Sequence, residues 1–204
     1  MNDETDGRSA KLLAAMKRSW ASNGHFFSDA GKEERERWVV QTFLENLTLT
    51  FAVMELQSKE QSSKVDVEFR DARFQIKEIV NPNTRRTAEI KAISLQVAAA
   101  RTLEEIVGPG FVYDTPPVAD GYELVRDNAV QLAADPRYRA IKGKIDLLFY
   151  VTRTRSSLVR KTERSDVELS AIGWRSVSCL MGDRAVVLFA QPEAPCFLRE
   201  AINA

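Results

Sequence analysis

The chain has 204 residues, 44% of them hydrophobic and 28% charged, which excludes wholesale disorder and supplies enough apolar surface to fold without a disulfide or metal staple. Lys plus Arg and Asp plus Glu each total 29, so the formal net charge is zero. That balance excludes a uniformly basic nucleic-acid coat but leaves room for a local basic patch.

In chain order, residues 1–9 are acidic and polar and read as a disordered tail, followed by one domain over 10–204. A signal peptide wants a basic start and an apolar core, which this tail lacks. Leu12, Leu13, Met16 and Trp20 recur at helical spacing over 10–20. The single histidine, His25, sits in the polar run Ser22-Asn23-Gly24-His25 and reads as a loop or cap residue. With one histidine, any site needing two or three is excluded. Ser28 or Asp29 can cap a helix over about 31–47, whose stripe Val40, Phe43, Leu44 and Leu47 faces a core. Glu36 stands four residues before Val40, at the end of that inward stripe. An acid there calls for a partner or a metal, although a first-turn glutamate is also favoured by the helix dipole.

Residues 49–55 read as a strand, and 57–64 as a polar loop. Val65, Val67 and Phe69 then alternate with Asp66, Glu68 and Arg70, and Phe74 and Ile76 alternate with Gln75, Lys77 and Glu78. With Asp71-Ala72 as the hairpin turn, Arg70 faces Arg73, Phe69 faces Phe74, Glu68 faces Gln75 and Asp66 faces Lys77. Asp66, Glu68, Gln75 and Lys77 then share one face, with directly opposed Cβ atoms about 5 Å apart. Asn81-Pro82-Asn83 ends the strand. A helix is expected over 87–107, stopped by Gly108-Pro109-Gly110, and a second over about 118–134. The apolar run 146–151 reads as a strand buried on both faces. The basic stretch 152–165 is a loop. Strands at 174–180 and 184–190 and a short helix at 196–202 close the chain. The order predicts an α/β or α+β fold with a mixed central sheet flanked by helices.

Carboxylate and amide oxygens on one patch are hard ligands suited to Mg²⁺, with Asp66, Gln75 and Glu68 as the candidate set. A metal activates water and offsets charge on a phosphate, and a neighbouring lysine, Lys77, orients the water or steadies the charge. The same pattern also fits a cross-strand Asp66–Lys77 ion pair on a solvated face, which contributes about 0–1 kcal/mol. Downstream, Arg153, Arg155, Arg160, Lys161 and Arg164, interleaved with hydroxyl residues, are of the types that contact phosphates. They fit a solvated loop equally well. Arg85 and Arg86 add positive charge after the hairpin.

Several segments carry a resemblance: Glu34-Arg35-Glu36-Arg37-Trp38-Val39, Val65-Asp66-Val67-Glu68-Phe69-Arg70, Gly173-Trp174-Arg175-Ser176, Val187-Leu188-Phe189-Ala190-Gln191-Pro192 and Pro195-Cys196-Phe197-Leu198-Arg199. Over roughly residues 28–200 the chain resembles a bacterial family of unknown function described as endonucleases, with the PD-(D/E)xK restriction-endonuclease-like fold. The resemblance implies a Mg²⁺-dependent DNA endonuclease with Glu36, Asp66, Gln75 and Lys77 at catalytic positions. Asp66 matches the motif aspartate, Lys77 the motif lysine and Glu36 the helix acid. Gln75 departs from the motif's Asp or Glu, removing a charge that attracts a cation. The alternative is a catalytically inactive nuclease-fold module that binds nucleic acid or protein. The two cysteines, Cys179 and Cys196, have no CxxC spacing, and a cytoplasmic setting is expected. No apolar run reaches the ~18 residues of a membrane span. DNA is the expected partner, and a homodimer is compatible with sequence-specific cleavage.

Overall fold

The computed structural model describes residues 3–60, 62–82, 86–106 and 116–202. They group into two compact units, residues 1–35 with 83–115 and residues 36–82 with 116–204. No described helix is long and apolar enough to cross a membrane.

The first unit is helical. It contains α1 (Asp3–Phe26), the opening residues of α2 (Lys32–Asn46), α3 (Arg86–Ala99) and α4 (Leu103–Ile106). Residues 3–9, expected as a tail, belong to α1, because no proline stops the helix propagating back from the stripe at 10–20. His25 lies in the last turn of that helix, 3.6 Å from Glu34. The Ser28 hydroxyl accepts the Gly31 N–H at 3.2 Å, the bond expected of a cap before α2. The Ser94 hydroxyl donates to the Trp20 carbonyl at 3.1 Å and ties α3 to α1. The single helix expected over 87–107 is broken at 100–102. The Arg101 N–H is taken by the Glu105 carboxylate at 2.7 Å, which starts a new helix. The stop at 108–110 and the loop to 115 lie outside the described residues, as does Arg85.

The second unit is built on a six-stranded mixed sheet in sequential order: β1 (Leu56–Ser58), β2 (Val67–Phe69), β3 (Ala72–Ile79), β4 (Asp146–Val151), β5 (Ser176–Met181) and β6 (Arg184–Ala190). The first three pair antiparallel, β4 and β5 are parallel to β3, and β6 returns antiparallel. α5 (Gly121–Ala134), α6 (Ser165–Ile172) and α7 (Cys196–Ala201) complete the unit. Residues 49–55 form no strand. Glu55 bonds back to the Ala52 N–H at 2.8 Å and winds 53–55 into a 3-10 turn, so Val53 and Met54 point to solvent and pairing starts at Leu56. α6 is not predicted by the periodicity between the basic stretch 152–165 and the strand at 174–180. Gly173 ends α6 at φ 89°, a left-handed conformation glycine adopts at little steric cost.

Successive strand residues face opposite sides, and the two cores follow. Val67, Phe69, Ala72, Phe74, Leu148 and Leu180 pack under Val39, Val40, Phe43 and Leu44 of α2 and Leu198 of α7. Ile79, Leu147, Phe149, Val151, Val177 and Cys179 pack under Tyr122, Val125 and Ala129 of α5 and Leu169 of α6. β4 contributes to both, which is why its sequence shows no alternation. Burial pushes the Cys179 thiol up to about 12, while Cys196 is exposed.

One buried charge ties these strands together. Asp146 opens β4 with no solvent exposure. Its carboxylate accepts from the Arg175 guanidinium, at 3.0 Å for Nε, from the Ser176 hydroxyl at 2.8 Å and from the Arg73 N–H at 2.8 Å. The Arg175 Nη2 that also bonds the Asp146 carboxylate donates to the Asp71 carbonyl at 3.0 Å. Removing either charge strands the other in a low-dielectric site. Asp146→Ala or Arg175→Ala is therefore expected to destabilise the protein by ~3–5 kcal/mol in urea unfolding, whereas surface pairs such as Lys161–Asp166 contribute about 1 kcal/mol or less. A cost below about 1 kcal/mol for both variants would show that the pair is not this anchor.

Candidate functional site: a hydrogen-bonded Asp–Gln–Tyr chain

The hairpin register decides what the candidate residues touch. The turn is Arg70-Asp71, not Asp71-Ala72. Phe69 pairs with Ala72, Glu68 with Arg73 and Val67 with Phe74. Ala72 is fully buried, so it belongs in the strand rather than at the tip. Arg70 adopts the left-handed φ of 52° that the tight turn needs. Its side chain is held there by Glu55 at 3.0 Å, by the Thr50 carbonyl at 3.1 Å and over the Phe69 ring at 4.7 Å. The shift is two residues in the pairing sum, so the parity of faces is kept. Asp66, Glu68, Gln75 and Lys77 still fall on one face, now with Asp66 beside Gln75 instead of Lys77.

Asp66 stands where β2 and β3 part. Its backbone N–H reaches the Phe74 carbonyl at 2.8 Å, and its carboxylate accepts the Ile76 N–H at 2.7 Å in place of a strand carbonyl. The same carboxylate oxygen accepts from the Gln75 amide nitrogen. The Gln75 oxygen in turn accepts from the Tyr138 hydroxyl at 3.0 Å. Asp66 is 9% exposed, Gln75 and Tyr138 3% each, so all three form a buried polar chain under the α5 side of the sheet. Burial raises the Tyr138 phenol above its ordinary range; the Asp66 and Asp135 charges push the same way and Arg137 opposes them. The phenol is a neutral donor at neutral pH.

The remaining candidates stand apart. Glu68, expected opposite Gln75, pairs instead with Lys59 at 2.6 Å and Arg73 at 3.7 Å. Lys77 is half-buried, two residues along β3 from Gln75, and makes no ion pair with any described residue. Glu36 belongs to α2, which packs on the opposite face of the sheet from the Asp66–Gln75–Tyr138 chain. Sequence reasoning missed Tyr138, which follows α5 with no motif of its own. The only cue was an aromatic hydroxyl next to a helix end.

The residues present do not fit Mg²⁺. An octahedral ion wants several free oxygens, but one Asp66 oxygen already takes two N–H groups and the amide oxygen of Gln75 is held by Tyr138. Among the described residues no three of His, Cys, Asp and Glu stand close enough to hold a metal.

The basic stretch is tied down rather than loose. The Thr152 and Arg153 N–H groups both reach the Ile79 carbonyl at 3.0 Å. Arg155, in the left-handed region at φ 53°, lends its carbonyl to the Ala119 N–H at 3.0 Å. Ser157 takes the Gly121 N–H at 2.9 Å, and a Cβ on Gly121 would sit 2.4 Å from the Ser157 carbonyl, so only glycine fits. Arg153 is spent on the Pro117 carbonyl at 3.0 Å. Lys161 pairs with Asp166 at 3.1 Å and Arg164 with Glu168 at 3.7 Å. Arg155 and Arg160 are exposed and make no ion pair with any described residue. Arg160 edges a shallow cavity of about 390 Å³ with Asp120, Ser157 and Thr162.

A mixed α/β protein with a buried acid–amide–phenol chain where two strands part is the class that fold and site define. The chain belongs to the family described as "Putative endonuclease, protein of unknown function (DUF1780)", which matches residues 8–203. It is similar over its whole length, at 24% identity and a TM-score of 0.60, to 94% of a solved Pseudomonas aeruginosa protein of unknown function assigned to the monooxygenase superfamily. That likeness shows the fold alone. No curated protein matches.

Tyr138 is delivered by the turn after α5, where Asp135 holds the Arg137 side chain at 2.8 Å and its N–H at 2.9 Å. The Arg137 side-chain bond, then its backbone bond, pulls the Asp135 carboxyl down from 3.8 to about 2. A depressed carboxyl stabilises the fold fully above its unfolded pKa. Its contribution is thus complete above 3.8 and is lost as pH falls through about 2. Carbon-detected NMR titration is expected to place Asp135 near about 2, and Arg137→Ala to return it toward 3.8. An Asp135 that titrates normally in the native protein would refute the pairing.

Proposed function

We propose that this chain is a DNA-binding protein of restriction-endonuclease-like fold whose motif position is held closed to a divalent cation. The observation that carries this reading is the Gln75 amide donating to Asp66 while its oxygen is taken by Tyr138. The element order supports the fold assignment: a helix, three antiparallel strands, intervening helices, then a strand parallel to the third. Asp66, immediately before β2, and Gln75-x-Lys77 within β3 are the residues that the resemblance assigns to its motif, and their common sheet face supports that reading. The family's description as endonucleases supports nucleic acid as partner.

Positive charge for phosphates comes from Arg155 and Arg160, with Lys77 two residues along β3 from the Ile79 carbonyl that anchors the loop. A second reading, a Mg²⁺-dependent endonuclease, is favoured by Lys77 lacking an ion-pair partner among the described residues.

Fluorescence anisotropy with a labelled duplex tests the first reading. Binding is expected to weaken with salt, and the slope of log K against log salt to fall by about 0.9 for each of Arg155→Ala and Arg160→Ala. Unchanged affinity and slope in the double variant would remove the DNA interface. Supercoiled-plasmid nicking separates the two readings. Mg²⁺-dependent nicking abolished by both Asp66→Asn and Lys77→Ala would favour the endonuclease and overturn the closed site.

A further inference from the structure

We propose that Tyr138 is a positioning residue that keeps the Asp66 pocket closed, so that an intramolecular hydrogen bond stands where a divalent cation would otherwise bridge residues 66 and 75. The inference deepens the proposed function and rests on its closed motif position, but its test reads metal binding and amide protection, not DNA.

The argument is one of donor and acceptor matching. An ionised Asp66 can only accept, so the group facing it at residue 75 must donate or share a cation. A glutamate there would set two buried carboxylates against each other, which requires a metal or a proton. Gln75 meets the demand with its amide N–H. An amide alone does not commit, because rotation of the side chain would present its oxygen outward as a metal ligand. Tyr138 opposes that rotation. Its hydroxyl, on a side chain 3% exposed, has the Gln75 oxygen as acceptor at 3.0 Å. Turning the amide would set its oxygen against the Asp66 carboxylate, which keeps the Ile76 N–H, and would leave the Tyr138 hydroxyl proton without its acceptor. The Tyr138 ring is itself fixed: it packs edge-on against the fully buried Trp174 at 5.4 Å, and the Trp174 indole N–H is bonded to the Ala129 carbonyl at 3.0 Å. The residue that closes the pocket is therefore held by the core rather than by a surface loop.

Mn²⁺ followed by electron paramagnetic resonance is the probe, on the full chain and on Tyr138→Phe, Gln75→Glu and the double variant. Each is repeated with Asp66→Asn to isolate this site. Outer groups that orient metal ligands typically change affinity by 10–100-fold, so Tyr138→Phe is expected to raise Asp66-dependent Mn²⁺ affinity roughly tenfold and the double variant up to roughly a hundredfold. The Gln75 side-chain amide protons provide a second readout that needs no variant beyond Tyr138→Phe. They are expected to exchange slowly in the native protein and faster in Tyr138→Phe. Native protein that already binds Mn²⁺ through Asp66 as tightly as the variants would overturn the proposal. So would native Gln75 protons that exchange as fast as those of an exposed glutamine, which stands as a test even if Gln75→Glu fails to fold. A Tyr138→Phe protein unchanged in both readouts would also overturn it. DNA affinity and salt slope left unchanged in the Arg155→Ala/Arg160→Ala double variant, with these results intact, would retire the DNA reading alone.

Discussion

The Asp146 carboxylate is the constraint on which the sheet unit depends. It is buried without solvent, so its charge must be answered locally, and the answers come from distant parts of the chain. Arg175 and Ser176 lie just before and at the start of β5, and the Arg73 N–H belongs to the hairpin strand β3. The Arg175 arm that reaches the Asp71 carbonyl clamps the hairpin tip itself. Breaking β4 out of this register would leave a naked carboxylate in the apolar layer under α2 and α7. A single ionic anchor thus fixes the height of β3 against β4 and clamps the hairpin tip.

The candidate site follows from the hairpin register. Asp66 substitutes its side chain for a backbone acceptor and takes the Ile76 N–H, which satisfies β3 at the point where β2 leaves it. Strand separation normally exposes unpaired backbone groups. Here the aspartate that ends the pairing is also the acid of the site. Gln75 then supplies a neutral partner with both a donor and an acceptor, and Tyr138 uses the acceptor. The result is a satisfied buried network, which is rigid and costly to rearrange. A carboxylate at residue 75 would have needed a cation to reach the same state.

The basic stretch follows the same economy of matched groups. Most of its cations have local tasks: Arg153 holds Pro117, Lys161 holds Asp166 and Arg164 meets Glu168. Composition cannot separate a cation that braces a loop from one offered to a ligand. Arg155 and Arg160 are exposed and make no ion pair with any described residue. Anchoring at Ile79, Ala119 and Gly121 presents them from a braced backbone rather than a loose arm, so the proposed phosphate contact would carry a smaller ordering cost.

Much of the architecture was legible in the residues because it depends on local periodicity. The stripe Val40, Phe43 and Leu44, the unbroken apolar run of β4, the closing strands and final helix, and the common face of Asp66, Glu68, Gln75 and Lys77 all follow from repeats of 3.6 or 2. The misreadings came where a local bond beat the period. Glu55 capping Ala52 turned an apparent strand into a 3-10 turn, and the buried Ala72 moved the hairpin turn by one residue. Tertiary structure alone decided the rest, because contacts across long separations leave no trace in spacing. Gln75 and Tyr138 meet from 63 positions apart. α2, carrying Glu36, packs on the far side of the sheet from them. The sequence alone thus determined that an aspartate, a glutamine and a lysine share a strand face. Only the folded chain decided that the aspartate and glutamine are bonded to each other and to a tyrosine, since pairing register and buried hydrogen bonds are settled by packing, not by pattern.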